Sequence, residues 1–267
     1  RANRVAMHFA LRRLVRPKTH DGLLSYLANR IQGNVYPMSP GRQTELLRMI
    51  TGELPLQHQA LLSGVDEVID RIADAMEQEA GRQPLDQGEE LKRRIRPEDL
   101  DSPFWANLVR PLVQELIATA RPYLENLHAL GRALRPFIDE GTPEQATPIL
   151  ELHASVRKIE SVVERLLRFL GDAEGQCRWI EYRRRPGGRR PDVTFCIAPL
   201  AVADHLRESL LRRMRTVVLT SATLAVERRF DYFLRQVGAD DARSLTLLGS
   251  VTPPAQPAEV EPPVAAA

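Results

Sequence analysis

Seven apolar residues, Ile149, Leu152, Val156, Ile159, Val163, Leu166 and Leu170, recur at alternating steps of three and four. This spacing holds them on one side of an α-helix for about three heptads. A helix with such a seam must bury it, because most helical stability in water comes from packing an apolar face. The neighbouring helical pattern, Leu112 to Phe137, is the nearest partner in sequence. A short connection joins the two, so an antiparallel hairpin inside a bundle is expected rather than a dimerising coiled coil.

The residues before this seam also read as helices. Arg4 to Val15 has helical spacing and is stopped by Pro17. Leu23, Leu24, Leu27 and Ile31 form a second stripe, ended by Gly33-Asn34, and Val35 to Gly41 is a turn cluster. Gln43 to Ile50 predicts a short helix closed by Gly52. Leu61, Val65, Val68, Ile72 and Met76 mark one face of a longer helix that ends at Gly81. Gln83 to Asp101 reads as a loop or a short exposed helix. Phe104 to Ile138 is a long helical pattern with kinks or breaks expected at Pro111, Pro122 and Pro136.

The pattern changes after Gly171. Gln176 to Tyr182 reads as a strand with Cys177, Trp179 and Glu181 on one side, and Asp192 to Ile197 as a second strand. The turn between them carries Arg183, Arg184, Arg185, Arg189 and Arg190, with no acid between Tyr182 and Asp192. Val202, Leu206, Leu210 and Met214 mark an amphipathic helix. Thr216 to Leu219 has the β-branched, apolar character of a buried strand. Phe230 to Val237 predicts a short helix capped by Gly238. Strands alternating with helices at this spacing argue for a piece of an α/β sheet. From about Ser250 the chain is Pro, Ala, Glu and Val without a period, and disorder is expected.

Composition narrows the chemistry. The 37 Lys and Arg nearly balance 35 Asp and Glu, giving a net charge of +2. A chain-wide basic field is therefore excluded, and any nucleic-acid contact must be a local patch. Two cysteines cannot supply a four-cysteine zinc site or an all-cysteine iron–sulfur site. In neighbouring strands, Cys177 and Cys196 are expected as reduced thiols. The six histidines form no i, i+4 metal pair, so no metal site is expected. Asp66-Glu67 and Asp139-Glu140 follow no apolar strand and read as solvated surface. Gly187-Gly188 is followed by Arg-Arg-Pro and is not a phosphate-binding loop. No apolar run approaches the length of a membrane span. The start, Arg1-Ala2-Asn3-Arg4, has neither Met nor a signal-peptide core. The chain is thus expected to be an internal piece of a larger cytoplasmic protein.

Thr220-Ser221-Ala222-Thr223 is the best remaining candidate for function. It places hydroxyls at the carboxyl end of an expected buried strand, where α/β sheets bind ligands. A strand-to-loop turn capped by Ser and Thr accounts for these four residues about as well.

The wider sequence is more specific. Phe195-Cys196-Ile197-Ala198-Pro199-Leu200, His205 to Leu210, Val217-Val218-Leu219-Thr220-Ser221-Ala222-Thr223-Leu224 and Phe230 to Gly238 follow in order. Together they closely resemble DinG-type bacterial helicases, in the XPD-like branch of helicase superfamily 2. The resemblance is strong over roughly residues 176–240, and residues 1–170 share only its helical character. It implies a mainly α chain with a small α/β end. Residues 1–171 would be a helical arch-type insertion bundle. Residues 172–249 would be part of a RecA-like parallel-sheet motor domain, followed by the 250–267 tail.

The resemblance also implies ATP-driven unwinding of DNA and movement on a single strand. Ser221, Ala222 and Thr223 would form motif III, which couples hydrolysis to strand separation. ATP and magnesium are implied for the full-length parent, and many family members carry an iron–sulfur cluster. The ATP-binding lysine motif, the acidic motif and the cluster cysteines are not in this sequence, so the chain alone is expected to be inactive and to need the missing motor segments. After Gly238 the sequence departs from the family's usual continuation into the second motor domain. The alternative is a non-enzymatic helical interaction or scaffold module derived from a helicase.

Overall fold

The computed structural model describes residues 2–15, 22–79, 90–172, 174–183, 191–219 and 229–240. The chain divides into two units, Arg1–Leu200 and Ala201–Ala267. The first holds β1 (Ala2–Asn3), α1 (Arg4–Leu11), α2 (Leu23–Gln32), α3 (Pro40–Arg48), α4 (Leu54–Glu79) and β2 (Glu90–Ile95). It continues with α5 (Arg110–Leu134), α6 (Pro136–Asp139), α7 (Pro143–Leu170), β3 (Gln176–Arg183) and β4 (Asp192–Pro199).

The seam is where its spacing places it. Ile149, Leu152, Val156, Ile159, Val163 and Leu166 are buried, and Leu170 packs at their edge. His128 bonds Glu160 at 2.7 Å. A Cβ on Gly131 would lie 2.8 Å from His153 Nε2. Moving forward along α5 from His128 to Gly131 moves the contact back along α7 from Glu160 to His153, so the two helices run antiparallel. Thr142 starts α7 as an N-cap, its backbone N–H donating to Gln145 Oε1 at 2.8 Å. On the other flank of α5, His58 meets Tyr123, and Asn126 donates to Gln57 at 3.1 Å. α4 and α5 are therefore antiparallel as well.

The prolines and glycines behave unequally. Gly52 does not end a helix. α3 runs through a π-helical turn, Met49–Glu53, straight into α4. Gly costs a helix only about 1 kcal/mol, and burial of Met49, Ile50 and Leu54 favours continuing. Pro111 falls in the first turn of α5, just after the π-helical segment Phe104–Val109, where no donor is needed. Pro122 lies inside α5 without ending it. Pro122 and Ala118 are both exposed, so the carbonyl left without a donor is on the solvent side. Only at Pro136 does the helix break, and α6 follows.

The sheet has the order β1-β4-β3-β2, and every pairing is antiparallel. β2 occupies part of the segment that reads as a loop or short helix in sequence. Its inward positions are Leu91, Arg93 and Ile95, and the arginine obscures the period-two pattern. In β3, Cys177, Trp179 and Glu181 do share a face, but Arg178, Ile180 and Tyr182 point to the core. Phe195 of β4 meets Phe169 of α7 edge-on at 5.2 Å. β2 and β1 come from the helical half and complete the sheet begun by β3 and β4. The compact unit therefore closes at Leu200, not at Gly171.

The second unit is smaller. α8 (Ala203–Leu206) runs into a π-helical turn, Arg207–Leu211, and α9 (Asp231–Val237) packs on α8. Thr216 to Leu219, read from sequence as a buried strand, is irregular here, and Val218 is 79% exposed. A short β-branched run holds strand form only when neighbours pair with it, and among the described residues none does. Met214, expected on a buried helix face, is exposed. α9 ends as its sequence predicts, with Gly238 at φ +71°. The 250–267 tail lies outside the described residues.

Candidate nucleic-acid interface

The basic turn is carried by the β3–β4 hairpin. Tyr182 anchors the base of this turn from the core side, its ring fully buried and its hydroxyl donating to Glu77 of α4. One residue further on, Arg183 is exposed and pairs across the ladder with Asp192. Its guanidinium also lies 3.6 Å from Glu90 of β2. The first arginine of the cluster is thus flanked by two carboxylates, one of them distant in sequence. Arg184, Arg185, Arg189 and Arg190 lie outside the described residues, as do Ser221, Ala222 and Thr223.

Beneath the sheet, two inward arginines stack on consecutive aromatics. The Arg93 guanidinium is 3.7 Å from the Phe104 ring centroid, and that of Arg178 is 5.2 Å from Trp105. Arg178 is only 3% exposed and donates to the Gly171 carbonyl at 2.6 Å. Burial lowers the pKa of both arginines. Both are therefore fasteners between sheet and helices and do not belong to an open cationic surface.

A second basic feature lies between α1 and α7. A groove of about 470 Å³ is lined by Ala6, Phe9, Ala10, Ala154, Arg157, Lys158, Ser161, Val162 and Arg165. Phe9 is 58% exposed and Val5, one turn earlier, is also exposed. The Lys158 ammonium is 5.2 Å from the Phe9 ring centroid. The sequence signal for this site is faint. From sequence, Arg4 to Val15 reads only as a helix, and the exposure of Phe9 follows from how α1 packs.

Three titratable residues elsewhere, Asp66, His58 and Tyr123, have structural partners. Asp66, read from sequence as solvated surface, is 3.3 Å from Arg4 Nε and 3.1 Å from His8 Nε2. His58 and Tyr123 are buried against each other, His58 Nδ1 lying 3.0 Å from the Tyr123 hydroxyl. Burial lowers the His58 pKa to about 4 and raises that of Tyr123. No group of three or more His, Cys, Asp or Glu among the described residues is placed to hold a metal ion. Cys177 and Cys196 are free thiols. The register pairs Cys177 with Ala198 and Cys196 with Trp179, so the two sulfur-bearing residues are diagonal neighbours on one face. No helix among the described residues is long and apolar enough to cross a membrane.

Comparison with known proteins gives one partial likeness. The chain is 29% identical over 92 residues to the 3'-5' exonuclease DinG of Bacillus subtilis (strain 168). The match covers 34% of this chain and 10% of that protein. It supports a distant relationship to a helicase-like protein. No protein-family model matches the chain, and no solved structure does either.

Proposed function

We propose that this chain is a segment of a DinG-type, ATP-driven DNA helicase. The helical unit that closes at Leu200 supplies an arch-like region, and the segment from Ala201 onward supplies the end of the first RecA-like motor domain. The observation that carries this reading is the ordered run from Phe195 to Gly238, with Val217-Val218-Leu219 leading into Ser221-Ala222-Thr223. The distant likeness to DinG supports it. ATP and magnesium bind in other segments of the parent, and the bound polymer is single-stranded DNA. The nuclease named for the relative is not assigned to this chain, which spans about a tenth of that protein.

In this reading Ser221 and Thr223 link the acidic ATPase motif to the facing motor domain without touching the transferred phosphoryl group. The test uses the full-length parent carrying Ser221→Ala with Thr223→Ala. Two oxygens are deleted and no bulk is added. Each lost hydrogen bond costs about 0.5–1.5 kcal/mol, which a domain of ordinary stability tolerates. ATP turnover should stay within about tenfold of wild type, a barrier change near 1.4 kcal/mol, while unwinding falls much further. Equal loss of both activities with an unchanged melt would place these residues in the hydrolytic site. Loss of neither would leave the turn purely structural.

A further inference from the structure

We infer that a cavity at the end of the β2–β3 ladder binds a small zwitterion, a free α-amino acid with an apolar side chain. The inference stands apart from the nucleic-acid reading above. The cavity holds about 400 Å³, the size of a small-molecule site. Most of the charged groups that line it are already engaged. Arg178 donates to the Gly171 carbonyl, and Arg96 lies 3.6 Å from Glu98. Asp172 accepts from the backbone N–H of Glu174 at 3.0 Å. Arg94 of β2 and Glu174, in the loop before β3, remain. Both line the cavity and both are exposed. Neither side chain has a hydrogen-bond or ion-pair partner among the described residues, and they do not pair with each other.

Two unlike charges left apart in one cavity are complementary to a ligand that carries both signs. An α-amino acid does so on neighbouring groups, a carboxylate for the Arg94 fork and an ammonium for the Glu174 carboxylate. A simple anion would also face the carboxylates of Asp172 and Glu174, and a simple cation would face Arg94 and Arg96. Each meets a like charge that a zwitterion offsets. Ile95, Pro97 and Leu100 supply an apolar wall. Leu100 is 38% exposed, so an aliphatic side chain laid over it removes apolar surface from water.

The experiment titrates the full chain calorimetrically with L-leucine, with N-acetyl-L-leucine, which lacks the ammonium, and with L-leucinamide, which lacks the carboxylate. Wild type should bind L-leucine with a Kd of about 1 mM, a modest affinity for so small a ligand. Each blocked analogue should bind about tenfold more weakly, the usual loss on removing one hydrogen-bonded charge. Arg94→Gln should weaken L-leucine binding to the level of L-leucinamide and abolish the preference between them. Glu174→Gln should do the same for L-leucine and N-acetyl-L-leucine. Both side chains are exposed, so the melts should match wild type. No heat of binding with L-leucine at ten times that concentration would overturn the proposal. Equal affinity for all three ligands would reduce the site to apolar contact and overturn it too. A wild-type preference retained by both variants would place the ligand elsewhere, with the same result.

Discussion

Arg93 lies over the Phe104 ring, its guanidinium carbon 3.7 Å from the centroid, while its Nη1 contacts the carboxylate of Glu79. An inward charge on an edge strand is thereby converted into a clamp between β2, the π-helical segment and the end of α4. Arg93→Met keeps an unbranched apolar stem and removes the charge. Glu79 is about half exposed and rehydrates, so the loss should be about 1–2 kcal/mol. Arg93→Ala should cost more, because the packed stem goes too. The measurement is the urea midpoint at constant slope. Equal midpoints for wild type and Arg93→Met would show that the stacking adds nothing.

The buried pair His58 and Tyr123 makes stability depend on pH. His58 has a pKa of about 4 in the folded chain, lowered chiefly by burial and further by His8. Its unfolded value is about 6.5. As pH falls below about 6.5, the unfolded chain takes the proton first. The stability that the neutral ring contributes is full above that pH and declines toward pH 4, by roughly 3 kcal/mol over the window. His58→Gln retains a hydrogen-bonding group beside Tyr123 and cannot titrate. It should flatten this part of the stability curve, and a variant as pH-sensitive as wild type would show that His58 is already hydrated.

Gly238 joins α9 to α8 in a conformation that only glycine adopts freely. A Cβ there would lie 2.3 Å from the Ala203 carbonyl oxygen, and φ is +71°. The left-handed backbone alone costs a non-glycine residue about 1–2 kcal/mol, and the backbone clash adds to it. Arg207 spans the same junction, donating to the Gly238 carbonyl at 3.0 Å and to Asp240 at 2.7 Å. Gly238→Ala should raise amide exchange throughout α8 and α9 and leave α5 and α7 protected. Unchanged exchange in α8 and α9 would contradict the close approach.

The centre of the helical unit is tested at Ile159, fully buried in the α7 seam. Ile159→Asp places a carboxylate among apolar side chains and should cost several kcal/mol, a large part of a typical domain's stability. Thermal melting reads this directly. A melting temperature equal to wild type would mean that the seam does not carry the core.

The α7 seam was legible because every third or fourth residue is aliphatic and nothing interrupts the period. β2 was not legible, because Arg93 occupies an inward position and its partner Phe104 lies beyond a turn. The reading of Thr216 to Leu219 as a buried strand failed for a related reason. Composition reports that a run fits a pleated surface, and the surface must still be present to receive it. Of the candidate site, the arginine turn was visible as a charge run. The neutralising contact from Glu90 to Arg183 joins residues far apart in sequence, and only the register of β2 on β3 reveals it. Phe9 needed the packing of α1 before it could be seen as an exposed ring.

β1 is only Ala2 and Asn3, yet it lies against Phe195 and Thr194 of β4. Because the pair is antiparallel, the chain enters the first unit and leaves it from the same end of adjacent strands. Tension applied between Ala2 and Pro199 acts across the ladder and not along it, so it loads the hydrogen bonds of β1 and β4 one after another. This first unit should therefore open under load as a zipper does, peeling from the β1 edge at low force while the α5–α7 hairpin behind it remains intact.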